Sequence, residues 1–315
     1  MILALCLLLA SGGFILVSPR VLTCLTRSSQ RPLAAIAAWH LASWSVLGGV
    51  VLAAALLASP QLAAAGQLLA GLESCLQAID HVSTRADSPL LQAMAAVLLA
   101  GVLFRLVGCA ATAGWTTHRL RTRHRAMLSL VGRRDADLDA YVIDDDTALV
   151  YCLPGRGGRI VFTSAALFQL SAAQRDAVLA HERAHLRGRH HLLMAGTALL
   201  RNAFPWVRLF TQAREHTALL IEMHADDVAG RGYGRRPLAE ALIMLTSMIT
   251  PQAALGAAGT CTTARIERLL REPACQQPSA TRGIARGAGI VMASSLLATS
   301  PMTLAIAGHA LLCAA

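Results

Sequence analysis

The sequence predicts a polytopic α-helical membrane protein carrying an α+β domain on its cytoplasmic side, and three observations point there. Four apolar runs approach or exceed the roughly 20 residues that cross a bilayer: Ile2–Ser18, Leu33–Ser59, Leu90–Gly114 and Ile284–Ala315. Basic residues gather between these runs, and all 28 are Arg. Between the third and fourth runs, short β-prone segments give way to amphipathic helices. Composition agrees: 15% of the residues are charged, where soluble domains have about 25%, and mean hydropathy is +0.52. The predicted organisation is a membrane region with three spans over 1–114, a cytoplasmic domain over 115–283, and a fourth span over 284–315.

The first run lacks a basic leading segment and an A-x-A cleavage site, so it reads as a retained span rather than a signal peptide. Arg20, Arg27 and Arg31 follow it with no acid among them. The connection after the second span holds Glu73, Asp80 and Asp87 against Arg85 alone. Arg119, Arg121, Arg123 and Arg125 follow the third span; Arg268, Arg271 and Arg282 precede the fourth, and Arg286 lies at its start. The positive-inside rule then puts the N-terminus outside and the 115–283 domain in the cytoplasm. Arg105, inside the third run, is expected to snorkel to the cytoplasmic surface. The formal net charge of +10 is thus accounted for by topology, and no nucleic-acid partner is expected. The eight cysteines show no C-x-x-C spacing, so neither a disulfide framework nor a thiolate metal site is expected.

In the soluble segment, Tyr141–Ile143, Ala148–Cys152 and Arg159–Thr163 read as strands, the last two joined by the turn Pro154-Gly155-Arg156-Gly157-Gly158. Ser171 and Gln174 form a capping box that opens a helix running to about Arg187. Further helices are predicted over 212–230, 237–249 and 263–271.

That capped helix carries His181-Glu182-Arg183-Ala184-His185, a complete H-E-x-x-H. Residues four apart share a helix face, so both imidazoles can bind one tetrahedral Zn²⁺. Glu182 projects beside them, placed to deprotonate a water rather than to bind metal. This is the chemistry of a zincin-type peptidase. A third ligand is needed, and two residues compete. Gly188 and His191 complete H-E-x-x-H-x-x-G-x-x-H, but that pattern also needs a Met-turn; Met194 is too close to serve and Met223 falls in a predicted helix. Alternatively, Glu222 and Asp226 share a face of a second helix, offering a carboxylate ligand with an acidic neighbour behind it. That second arrangement constrains topology. If the apolar run Leu192–Phe210 crossed the bilayer, Glu222 would lie on the opposite side from His181. The run must then be a buried helix, a membrane-lying segment or a re-entrant loop, and Arg201 and Arg208 within it fit that requirement.

The string Ala180-His-Glu-Arg-Ala-His-Leu-Arg-Gly-Arg-His, the later Glu222-x-x-x-Asp226 and the upstream Leu153-Pro-Gly…Arg159-Ile-Val-Phe-Thr resemble the BlaR/MecR-type antirepressor membrane peptidases. They are more distantly similar to the HtpX and Ste24 proteases. The likeness covers about 140–230 together with the arrangement of spans. It implies a gluzincin: zinc on His181, His185 and Glu222, Glu182 as general base, and Asp226 orienting a ligand histidine. Of the two candidates for third ligand, it favours Glu222 over His191. It further implies a protein substrate such as a cytoplasmic BlaI/MecI-like repressor. Members that sense β-lactams carry a Ser-x-x-Lys penicillin-binding domain; this sequence has no Lys, so no such sensor is expected in it. A substrate strand is expected to add alongside Arg159–Thr163, taken as a sheet edge.

Overall fold

The computed structural model describes residues 2–27, 31–58, 88–155, 157–247 and 257–271. The predicted fourth span at 284–315 lies outside them. Among the described residues, three helices are long and apolar enough to cross a membrane: α1 (Ile2–Arg27), α2 (Pro32–Ala58) and α3 (Pro89–Val131). The last is a single helix of 43 residues, about 65 Å long at 1.5 Å per residue. It runs through the predicted domain boundary at 114/115, because no Pro or Gly interrupts it between Trp115 and Val131; Gly132 ends it with extended backbone.

The run Leu192–Phe210 forms no continuous helix. It breaks into α6 (His190–Ala203) and the start of α7 (Arg208–Tyr233), joined by Phe204-Pro205-Trp206-Val207 into a helical hairpin. Pro205 lacks the N–H that another turn of α6 would require. The hairpin packs against α1 and α2. Leu200, Leu209, Phe210, Ala213 and Leu220 share one core with Leu22 of α1 and Trp39 and Leu47 of α2. Polar contacts fasten it as well: the His216 ring stacks on Trp39 at 4.9 Å, with Nε2 3.4 Å from Thr23 Oγ1.

Arg105 is exposed and meets the tip of the hairpin. Its Nε donates to the carbonyl of Ala203, and its guanidinium lies 5.1 Å over the Trp206 ring. Helix C-termini leave carbonyls without intrahelical donors, and Arg105 supplies one where α6 ends against α3.

Beyond the spans lies a four-stranded sheet in the order β1-β2-β4-β3: β1 (Arg133–Asp135), β2 (Ala140–Ile143), β3 (Val150–Leu153) and β4 (Arg159–Thr163). β4 pairs parallel with β2 and antiparallel with β3, Cys152 opposite Ile160. This corrects one expectation: β4 is an inner strand and β3 is the edge. An inner strand is covered on both faces and reads as a continuous apolar run, as Ile160-Val161-Phe162 does. The charged β1 gives no strand signal in the sequence.

Ile160 and Phe162 pack on α4 (Ser164–Gln169) and on α5 (Ala172–Arg187), which presents Ala177 and Val178 to them. Leu238 of α8 (Arg235–Ser247) and Leu269 of α9 (Ala257–Leu270) close this second core. The capping box at the head of α5 is formed in both directions. α7 belongs to both cores, through Leu220 and Ile221 to the first and through Ala229 to the second.

Candidate metal centre

Where α5 crosses α7, at the junction of the two cores, His181, His185 and Glu222 bring one ligand atom each within 4.8 Å of one another. His181 Nε2 and His185 Nε2 are 3.0 Å apart. Glu222 Oε2 lies 3.5 Å from the first and Oε1 3.6 Å from the second. Tetrahedral zinc ligands at 2.0–2.1 Å from the ion stand about 3.4 Å from one another. The observed edges bracket that value, and two imidazoles with one carboxylate are donors that zinc accepts. The residues present fit the ion.

Two of the candidate ligands, His181 and Glu222, are held from behind. His181 is buried, and its Nδ1 faces Asp226 Oδ1 at 3.1 Å. Asp226 is fully buried and bound by both arms of Arg265, with Nε to Oδ2 at 2.8 Å and Nη2 to Oδ1 at 2.7 Å. The remaining Nη1 of Arg265 reaches Glu222 Oε2 at 2.9 Å. One cation from α9 therefore ties both carboxylates of α7 into register. Arg268 adds a second clasp on Asp227 at 2.8 Å. Removing one partner of a buried pair such as Arg265–Asp226 typically costs 3–5 kcal/mol, because the other charge stays buried.

The electrostatics follow from these neighbours. Burial disfavours a charged His181, but the carboxylates of Asp226 and Glu222 outweigh it and raise the imidazole to about 9. Burial likewise opposes ionisation of Glu222, yet His181 and Arg265 hold it down to about 2. Asp226 is held to about 2, with burial overcome by Arg265 and His181. His185 goes the other way: burial lowers it to about 4 and keeps both its nitrogens available to a metal and a hydrogen-bond partner. For Glu182, burial dominates and raises the pKa, partly offset by His181. Cys152, on the edge strand β3, hydrogen-bonds with Glu182, and burial pushes its thiol well up. A cavity of about 320 Å³ opens beside these residues, lined by Cys152, His185, Met194, Ala218, Ile221 and Glu222.

His191 does not join the group. The chain does break where the longer motif requires it, at Gly188, and Arg189 takes a left-handed conformation with φ 47°. It then enters α6 at once, leaving His191 on the first turn beside Arg189 and Arg121. His190 instead turns back onto His185, with Nδ1 3.0 Å from Nδ1. Sequence reasoning passed over Arg265 altogether. Its one signal was indirect: a helix placing an Arg opposite Glu222 and Asp226 answers the need of two buried carboxylates for a cation.

Residues 114–269 match the family model described as Peptidase family M48. No curated protein and no solved structure matches the chain.

Proposed function

We propose, from the match of residues 114–269 to the Peptidase family M48 model, that the chain is an integral membrane zinc endopeptidase of gluzincin type. The observation that carries this reading is the convergence of His181, His185 and Glu222 beside Glu182. A zinc ion held by the three would supply Lewis acidity toward a scissile carbonyl and toward the attacking water. Glu182 takes the water proton as the new C–O bond forms and returns a proton to the leaving amine as the C–N bond breaks. Asp226 keeps the Nδ1 side of His181 occupied, so that Nε2 faces the metal position. The substrate backbone pairs along the free edge of β3, whose Cys152 lines the cavity.

The substrate we favour is a cytoplasmic transcriptional repressor of the BlaI/MecI kind, cut to relieve repression. A second reading, broad cleavage of membrane proteins in the HtpX manner, draws on one observation: Met194 and Ile221 line the cavity and also pack into the core shared with the spans. In the test, detergent-solubilised protein is incubated with a candidate repressor and with an unfolded membrane polypeptide. Cleavage is expected to stop on chelation and return with zinc. Cleavage that persists without metal rules out the zinc reading, and the substrate consumed separates the two roles.

We place the peptidase domain on the cytoplasmic side. Arg189 and Arg231 flank the hairpin at its two site-proximal ends and both are exposed. Cysteines substituted there, compared with the unsubstituted chain in sealed vesicles, are expected to label from the same, cytoplasmic face. Labelling from opposite faces would make the hairpin a crossing span and separate Glu222 from the histidines.

A further inference from the structure

His181 and His185 meet a metal through the same atom but are supported differently from behind. Their Nε2 atoms face each other and the Glu222 carboxylate, so in a metal-binding His185 the ring proton must sit on Nδ1. For His181 the corresponding Nδ1 faces a carboxylate, Asp226. For His185 it faces another imidazole, at 3.0 Å. Two Nδ1 atoms this close share one proton, so when His185 Nδ1 donates, His190 Nδ1 must accept, and His190 carries its own proton on Nε2.

Packing holds the His190 ring against His185. His190 is 2% exposed. Its ring stands edge-on to His185 at 4.9 Å and an interplanar angle of 89°, with His224 against its other side at 5.4 Å. The left-handed Arg189 reverses the chain so that the first residue of α6 faces back onto α5. Gly188 leaves the room: a Cβ there would lie 2.4 Å from His190 Nε2 and 3.0 Å from the Ala184 carbonyl.

We propose that His190 is a positioning residue for the metal, accepting the Nδ1–H of His185 and thereby fixing that ligand's tautomer and ring orientation. This rests on the zinc reading above. Outer partners of ligand histidines of this kind are worth roughly 10–100-fold in metal affinity. The role also explains why two adjacent histidines follow Gly188 while only the first turns inward.

The test is zinc affinity of metal-stripped, full-length protein in detergent, by competition with a chromophoric chelator, together with the visible spectrum of the cobalt-substituted form. His190→Asn places an acceptor oxygen where Nδ1 now sits, whereas His190→Gln carries its amide one bond further out and His190→Leu has no acceptor. The expected result is near wild-type affinity and cobalt spectrum for Asn. Leu and Gln are expected to bind zinc roughly 10–100-fold more weakly with altered cobalt bands, and His191→Ala to behave as wild type. If Leu fails to fold, the Asn and Gln pair decides, being polar and of similar size. Equal affinity across all variants overturns the proposal, as does an Asn variant no better than Gln, which would reduce His190 to packing. Wild-type protein that binds no zinc would remove the peptidase reading itself, an outcome distinct from either.

Discussion

Replacing Glu182 with Gln is expected to slow peptide hydrolysis by about 10²–10⁴-fold, the usual worth of a general base, while bound zinc stays at the wild-type level. The amide keeps the size and shape of the carboxylate but cannot take a proton. The metal should be indifferent to the change, because Glu182 lies outside the group formed by His181, His185 and Glu222. Burial raises the pKa of Glu182, which makes its carboxylate a stronger base than an exposed one. Single-turnover cleavage and metal analysis on the same preparation separate the two effects. A variant that cuts at near the wild-type rate would remove Glu182 from the mechanism. One that loses zinc would make it a structural support of the site.

Glu222→Ala is expected to weaken zinc binding by more than about 100-fold, since losing a ligand costs more than the 10–100-fold of an outer partner. The loss is compounded locally: Arg265 Nη1 sits 2.9 Å from Glu222 Oε2 and would turn toward a site whose metal it repels. His191→Ala is the informative counterpart, because H-E-x-x-H-x-x-G-x-x-H names His191 with equal force and the structure leaves it beside Arg189. Metal content of the two purified variants checks this. Zinc lost in His191→Ala and kept in Glu222→Ala would reverse the ligand assignment.

How far the site can be read from the sequence depends on how local its determinants are. The capping box of Ser171 and Gln174 and the four-residue spacing of His181 and His185 act within one helix, and both appear in the structure as the sequence implies. Glu222 and Asp226 also share a face, but their partner Arg265 lies on another helix, and only the packing of α9 on α7 brings it in. The sheet order fails for the same reason. Whether β4 is edge or centre depends on a parallel pairing with β2 that no turn dictates, although the unbroken apolar run Ile160-Val161-Phe162 hinted at an inner strand. Arg105 is a subtler case. A lone Arg within an apolar run gives no sign in the sequence that α6 will end against it and take a hydrogen bond from it.

Because α7 is a member of both cores, chemistry and folding divide this chain at different places. A cut after Gly114 would keep every residue of the candidate metal centre. It would also strip Leu209, Phe210, Ala213 and Leu220 of the cover that Leu22, Trp39 and Leu47 provide, leaving an apolar stripe in water on the very helix that carries Glu222. The region from 115 onward therefore has no independence to lose or trade: it is not a module that recombination can lift from α1 and α2 and set on another anchor. Any relative that shed α1 and α2 would have to resurface α7 before it could fold alone in water.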